Sequence, residues 1–157
     1  MPAVILPLAE AAALLPPRGA LLGLDLGTKT IGVATSDADR RLATGVETIA
    51  RKTFTADARL LLGLAQERRC VGWVLGLPIN MNGSEGPRAQ SARAFARNLA
   101  KLTDLPIALW DERLSTAAVT REMIAADMTR QRRAQIVDRV AAAYILQGCL
   151  DAIGRSG

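Results

Sequence analysis

Residues 20–35, which read ALLGLDLGTKTIGVAT, decide the fold prediction for this chain. The segment Ala20–Leu26 is a continuous apolar run that only one acid, Asp25, interrupts. Its length and the glycine that follows it predict a buried strand. Residues 30–35 come after a tight Gly-Thr-Lys turn and predict a second strand that pairs back onto the first.

The rest of the chain predicts an α/β fold. Further strands are predicted at residues 42–49, 71–75 and 106–110, and helices at 55–69, 88–102, 116–125 and 132–153. Three hairpin-like strands followed by alternating helices and strands predict a five-stranded mixed sheet, three antiparallel strands then two parallel, with helices on both faces. An N-terminal extension (1–19) with a short helix at 8–15 precedes one domain (20–153) and a short tail (154–157).

The 157 residues contain no histidine. This excludes Ser-His and Cys-His nucleophilic sites, zinc sites built on histidine and histidine general bases. Enzymatic chemistry in this chain must therefore depend on carboxylates, lysine or tyrosine. Carboxylates as sole ligands favour hard cations such as Mg²⁺ or Mn²⁺.

The charge balance points to a polyanionic partner. Twenty Lys and Arg against fifteen Asp and Glu give a net charge of +5, which favours binding to nucleic acid but is also compatible with a generally basic soluble protein. Two isolated cysteines in apolar settings and the lack of a membrane-length apolar run predict a cytoplasmic protein that does not contact the membrane. Only five aromatic residues are present, which argues against a base-stacking platform.

Three acids stand out by their positions. Asp25 interrupts a buried strand, where a lone carboxylate is unfavourable by several kcal/mol unless a cation or hydrogen bonds compensate it; it could instead cap the following turn. Glu112 follows a strand end, and could instead pair with Arg113. Asp138 lies on the small-residue face of the last helix, and could instead favour an early helical turn through the helix dipole.

Together these acids predict one site. An RNase H-like topology would bring Asp25, Glu112 and Asp138 to the same edge of the sheet, where clustered carboxylates need divalent cations between them. Two Mg²⁺ or Mn²⁺ ions held about 4 Å apart can support in-line attack of water on a phosphodiester. The hypothesis is a nuclease that leaves a 5′ phosphate and a 3′ hydroxyl.

Four motifs resemble the YqgF family, RNase H-like relatives of the Holliday-junction resolvases. They are GLDLGTKTIGVA (23–34), GLPINMNGSEG (76–86), WDERLST (110–116) and DRVAAAYILQ (138–147). The resemblance covers nearly the whole chain and implies that Asp25, Glu112 and Asp138 form the metal-binding catalytic set. It also implies processing of the 5′ end of pre-16S rRNA, with branched-DNA cleavage as an alternative. Resolvases of the related family carry a fourth acid where this chain has Ala141, which argues against efficient junction resolution.

Basic and polar residues around the acids are candidates for substrate binding. They are Lys29, Asn80, Ser84, Arg88, Arg113, Arg132 and Arg133. Asn80 and Ser84 lie on a loop at the head of a helix, a natural anion site, whereas each arginine could equally be solvated surface charge. The chain is expected to act as a monomer or a homodimer.

Two other functions remain as alternatives. Asp25-Leu-Gly-Thr28 resembles the first phosphate motif of the actin and sugar-kinase superfamily, but those proteins clasp the nucleotide between two such domains. A non-catalytic RNA-binding factor in ribosome assembly would keep the acids for folding and Mg²⁺ binding. A nuclease differs from such a non-catalytic factor in that its metal binding and its cleavage of substrate should both depend on Asp25.

Overall fold

The computed structural model describes residues 4–114 and 130–156, with side chains for 4–114 and 139–154. Within these ranges the strands are β1 (Ile5–Pro7), β2 (Ala20–Leu26), β3 (Thr30–Ser36), β4 (Ala43–Ala50), β5 (Cys70–Leu77) and β6 (Ile107–Asp111). The helices are α1 (Leu8–Ala13), α2 (Phe54–Glu67), α3 (Pro87–Ala100) and α4 (Arg130–Ser156), and a short 3-10 helix spans Glu112–Leu114. The helix predicted at 116–125 lies outside the described residues.

The strands form one mixed sheet in the order β1-β6-β5-β2-β3-β4. Strands β1, β6, β5 and β2 run parallel, and β3 and β4 continue the sheet as an antiparallel meander. Every residue of β2 is buried, because the strand lies inside the sheet with a helical layer on each face. This explains why its sequence is continuously apolar instead of alternating.

The predicted α/β fold is confirmed, but the expected strand count of five was wrong. The sixth strand, β1, pairs Ile5 with Ile107 and Pro7 with Leu109 at the edge of the sheet. Its three residues are too few to show a period-2 pattern, and a proline is tolerated there because an edge strand leaves one side unpaired. A strand this short therefore could not be predicted from the hydrophobic pattern of the sequence.

Two core clusters lie on the two faces of the sheet. Helices α2 and α3 cover one face, where Leu24, Leu61 and Leu99 are fully buried. Helices α1 and α4 cover the other, where Ile145 and Leu146 of α4 are fully buried. The second cluster is the one that positions the predicted site.

Helix α4 lies close to the sheet because small residues lie beneath it. Gly23 pairs with Ala34, and Ala34 pairs with Gly45, so three strands present a row without large side chains. A Cβ built on Gly23 would lie 2.9 Å from Leu146 Cβ, and one on Gly45 would lie 2.9 Å from the Arg139 carbonyl oxygen. These close approaches fix the path of α4 across β2, β3 and β4.

Candidate active site at the carboxyl edge of the sheet

Asp25 occupies the penultimate position of β2 and is 2% exposed. Strand alternation places it on the same face as Gly23, which contacts α4. Gly32 pairs with Asp25 on one side, and Gly76 of β5 follows the paired Leu24 and Leu75 on the other. Both neighbouring strands therefore carry a glycine, and no larger side chain, next to Asp25.

Glu112 reaches the same face from the end of β6. A Cβ built on Gly76 would lie 2.8 Å from Glu112 Oε1 and 2.8 Å from Ile145 Cδ1 of α4. The Glu112 carboxylate therefore lies over Gly76, in the space that any other residue type would occupy. Since Gly76 is the neighbour of Asp25 in the sheet, the fold brings these two predicted acids together on one face.

Asp111, which precedes Glu112, binds Arg113 instead of joining the acids over Gly76. Arg113 binds it through two nitrogens, with Nε 3.1 Å from Oδ1 and NH2 2.7 Å from Oδ2. These bonds, with the charge of the guanidinium, hold the pKa of Asp111 below its ordinary value and raise the pKa of Arg113. The predicted substrate-binding residue Arg113 is thus occupied by an internal ion pair.

Asp138 belongs to α4, where the structure describes its backbone but not its side chain. By helical spacing it shares a face with Ala142 and Ile145, which are fully buried against the sheet. Ile145, seven residues after Asp138, is the residue that meets Gly76. The side chains of Arg132 and Arg133, in the first turn of α4, are likewise outside the described residues.

The donor set around Gly76 suits a hard cation. Asp25 and Glu112 offer only carboxylate oxygens, the ligands that Mg²⁺ and Mn²⁺ prefer. Where side chains are described, no group of three acids or other ligands is clustered closely enough to hold a metal. A third protein ligand would have to come from the part of α4 that carries Asp138.

The Asn80 loop is held by its own side chains. Asn80 Nδ2 donates to Ser84 Oγ at 3.1 Å, and that hydroxyl donates to Asn82 Oδ1 at 2.6 Å. Gly83 takes a left-handed backbone with φ of 86°, which favours glycine at this turn. The loop leads into α3, whose first residue, Pro87, suits the start of a helix.

Lys29 and Arg88 flank the strand end that carries Asp25. Lys29 is exposed on the turn between β2 and β3, and Arg88 NH2 donates to the Leu26 carbonyl oxygen at 3.2 Å. Lys29 therefore lies four residues after Asp25 in the chain, and Arg88 contacts the backbone of Leu26, the residue that follows Asp25.

Residues 19–152 match the family model of RuvX, described as Holliday junction resolvase. The chain belongs to the RuvX family. This match confirms the resemblance to YqgF proteins that the sequence motifs predicted. In the parts of this RuvX-family chain that the structure describes, no helix is long and apolar enough to cross a membrane.

Close relatives carry a nuclease name. A protein of Nitrobacter winogradskyi is 74% identical over 151 residues, covering 96% of this chain and 93% of its own length. A protein of a Bradyrhizobium species is 71% identical over 160 residues, covering 100% and 99%. Both are provisionally named pre-16S rRNA nucleases. With the RuvX family, they identify the chain as a nuclease, as the sequence predicted.

Two solved structures share the fold. Thermus thermophilus RuvC in complex with a Holliday junction substrate aligns with a TM-score of 0.54 at 10% identity, covering 87% of this chain and 96% of RuvC. The yeast mitochondrial Holliday junction resolvase Ydc2 aligns with a TM-score of 0.52 at 11% identity, covering 94% and 85%. At these identities the likeness concerns the fold, and it confirms the expected RNase H-like architecture of the RuvX-family chain.

Sequence reasoning missed Arg51, which lies beside the predicted site. Its NH1 donates to the Gly27 carbonyl oxygen at 2.6 Å, and its backbone nitrogen donates to the Lys29 carbonyl oxygen at 2.9 Å. The pairing of Thr30 with Ala50 at the end of the β3–β4 hairpin brings the following residue, Arg51, against the turn between β2 and β3. Only the register of β4 shows this.

Proposed function

We propose that this chain is a divalent-metal-dependent nuclease that processes the 5′ end of pre-16S rRNA. The observation that carries the proposal is the juxtaposition, on one face, of the buried Asp25 and of Glu112 over Gly76. Asp25, Glu112 and Asp138 are the catalytic residues and metal ligands of this proposal. A buried carboxylate beside a second carboxylate is unfavourable unless cations or hydrogen bonds compensate the two charges, and a divalent cation between them would do so.

The acids and their surroundings have separable roles in this proposal. Two Mg²⁺ or Mn²⁺ ions would, when bound, supply the positive charge that activates water and stabilises the leaving oxygen in an in-line displacement. Asp25 is fixed by its strand, and Glu112 lies over Gly76, where Ile145 of α4 also approaches. We expect both carboxylates to be oriented before substrate binds. The apolar layer under α4 excludes bulk water from the sheet side of the site.

Substrate phosphates would approach from the solvent side of the same edge. Lys29 is exposed on the turn that follows Asp25, and it can neutralise a phosphate near the scissile bond. Asn80 and Ser84, on the loop before α3, would contact phosphate through their side chains, because the backbone N–H groups of Asn80, Gly83 and Ser84 donate within the loop. Such contacts position the nucleic-acid backbone but do not read its sequence.

The substrate class follows from the relatives. Proteins more than 70% identical over nearly the whole chain carry the pre-16S rRNA nuclease name, whereas the junction-bound structure shares only 10% identity. Pre-16S rRNA is therefore the proposed substrate. Cleavage of a four-way DNA junction is the second candidate, since the family itself is described as a resolvase family.

A cytoplasmic location belongs to the same proposal. Cys70 and Cys149 are both buried and unpaired, as a reducing compartment favours. A monomer or a homodimer would serve rRNA cleavage, and a symmetric junction would favour the dimer.

The deciding experiment is a cleavage assay on two substrates. A 5′-labelled pre-16S rRNA fragment and a four-way DNA junction are each incubated with Mn²⁺, Mg²⁺ or EDTA. We expect wild type to cut the RNA with metal and Asp25→Asn to cut neither substrate. Asp39→Asn is the matched control, because Asp39 is an exposed acid that pairs with Arg18 beyond the far end of β3.

Other outcomes would each assign a different function. Cutting of the junction alone would move the assignment to a DNA resolvase. Binding of RNA with no cutting under any metal would favour the non-catalytic assembly factor. Full activity of Asp25→Asn would refute the catalytic set, whichever substrate is cut.

A further inference from the structure

A basic pocket lies at the same edge of the sheet as Asp25 but on the opposite face. It has a volume of about 220 Å³, and its walls include Gly27, Thr28, Arg51, Arg88 and Ser91. Leu26, which also lines it, belongs to the core cluster under α2 and α3. Because Asp25 and Leu26 are consecutive strand residues, the acids and this pocket lie on the two sides of one strand end.

The two arginines of the pocket are fixed by consecutive carbonyl groups. Arg88 NH2 donates to the Leu26 oxygen at 3.2 Å, and Arg51 NH1 donates to the Gly27 oxygen at 2.6 Å. The Arg51 guanidinium also lies 5.9 Å from the centre of the Phe95 ring, within the range of a cation–π contact. Each guanidinium has five N–H donors and uses only part of them on these carbonyls, so donors remain for a ligand.

The walls of the pocket are chemically one-sided. Two guanidinium groups and the hydroxyls of Thr28 and Ser91 are present, and none of the described residues that line the pocket is an acid. Paired guanidinium groups of fixed orientation suit the oxygens of a phosphate, which they can bind with two parallel hydrogen bonds. Within the part of the chain that the structure describes, the lining also includes no aromatic ring that could stack a base, so the chemistry favours a backbone phosphate over a nucleobase.

We infer that the Arg51–Arg88 pocket binds a backbone phosphate of the nucleic-acid substrate close to the scissile bond. The inference rests on the proposed function and adds to it a second contact across the sheet edge. Asp25 and Gly27 are two strand residues apart, about 7 Å. A nucleic-acid backbone that crosses this edge would therefore place a phosphate in the pocket within a few nucleotides of the acids.

The test measures RNA affinity as a function of salt. The pre-16S rRNA fragment is titrated in EDTA, so that metal-dependent cleavage does not change the substrate, with wild type, Arg51→Gln and Arg88→Gln. Glutamine keeps a donor for the carbonyl oxygens but removes the charge. Each variant should bind about tenfold more weakly at low salt, and the slope of log K against log[salt] should fall by about 0.7–0.9.

Two further variants separate a phosphate contact from a structural effect. Arg97→Gln is the matched control, because Arg97 is exposed near the other end of the same helix, α3; we expect its affinity and salt slope to stay near wild type. Arg51→Lys should keep the salt slope while losing part of the affinity, since lysine retains the charge but not the planar fork. Thermal denaturation of each variant reports on folding.

The outcomes separate this inference from the proposed function. If wild type cuts RNA and both pocket variants bind like Arg97→Gln, the pocket inference is wrong and the nuclease stands. If wild type does not cut RNA, and the pocket variants still show weaker RNA binding and a smaller salt slope, then the pocket binds backbone phosphate and the nuclease proposal fails. If inorganic phosphate raises the melting temperature only when Arg51 is intact, with RNA affinity unchanged by Arg51→Gln, the site takes a free anion and the inference is overturned.

Discussion

Replacing Gly76 by alanine should disturb the site more than the fold. The added Cβ would lie 2.8 Å from Glu112 Oε1, 2.8 Å from Ile145 Cδ1 and 3.3 Å from Glu112 Cγ. Ordinary contacts begin near 3.4 Å, so the neighbours must move by about 0.6 Å or more. Ile145 is fully buried in the α4 layer, whereas Glu112 is only partly buried. Glu112 should therefore move, and its carboxylate should leave its place beside Asp25.

The displacement of Glu112, and not of Ile145, sets the expected losses of stability and of cleavage rate in Gly76→Ala. Overpacking a well-packed position destabilises a protein by about 1–3 kcal/mol, and movement of Glu112 should keep Gly76→Ala near about 1 kcal/mol. For a chain of this length that corresponds to a fall in melting temperature of roughly 2–4 °C. A displacement of about 1 Å in a reacting constellation can lower the rate about 100-fold. We expect a loss of that order in single-turnover RNA cleavage.

Gly72→Ala is the matched control, on the same strand and the same face. A Cβ there would lie 2.9 Å from Leu15 Cδ2 and 3.1 Å from Leu21 Cδ2, both ends of flexible side chains away from the acids. It should lower the melting temperature by a similar amount and leave cleavage near wild type. Wild-type cleavage by Gly76→Ala would refute the role of the Glu112 position. Equal loss of cleavage in both variants would show that the effect comes from the fold.

Three further predictions concern other parts of the molecule. Gly63→Ala, at an exposed helical position with no atom near the added Cβ, should raise stability by about 0.5–1 kcal/mol, seen in thermal denaturation; a loss would contradict the open space. Arg113 depresses the pKa of Asp111 below its ordinary value of 3.8. The stability gained from this pair should therefore be full above pH 3.8 and decrease as pH falls through the lowered pKa. A melting-temperature difference between Asp111→Asn and wild type that does not shrink as pH is lowered below 3.8 would contradict this. Burial raises the pKa of Cys149 to about 12, so thiol reagents at neutral pH should modify it only after unfolding, and rapid labelling of the native protein would refute the buried placement.

Much of the fold could be predicted because hydrophobic pattern is a local property. The predicted strand at residues 20–26 matches β2, and the predicted helix at 88–102 corresponds to Pro87–Ala100. The short edge strand β1 was missed, since three residues carry no period and its pairing with β6 depends on a segment about a hundred residues away. The boundaries of the predicted domain stay a prediction.

The candidate site was predicted in part. Asp25 was predicted because a carboxylate inside an apolar strand is anomalous, and Glu112 because it follows a strand end; the structure places both on one face, and their catalytic role stays a prediction. Arg51 carried no such anomaly, since a charged residue after an edge strand is ordinary. Its position beside Gly27 depends on the register between β3 and β4. The arrangement of Asp138 relative to the other acids stays a prediction.

The sequence by itself determined the donor chemistry and the kind of fold. It contains no histidine, so a metal site built on the three acids must use oxygen ligands, and its order of apolar segments predicts a mixed sheet with helices on both faces. Only the tertiary structure decided which groups face one another. It placed Glu112 over Gly76, tied Arg113 to Asp111, and set Arg51 and Arg88 in one pocket. The physical reason is that hydrophobic periodicity acts within a few residues, whereas strand register and close approach at glycines join residues that are far apart in the chain.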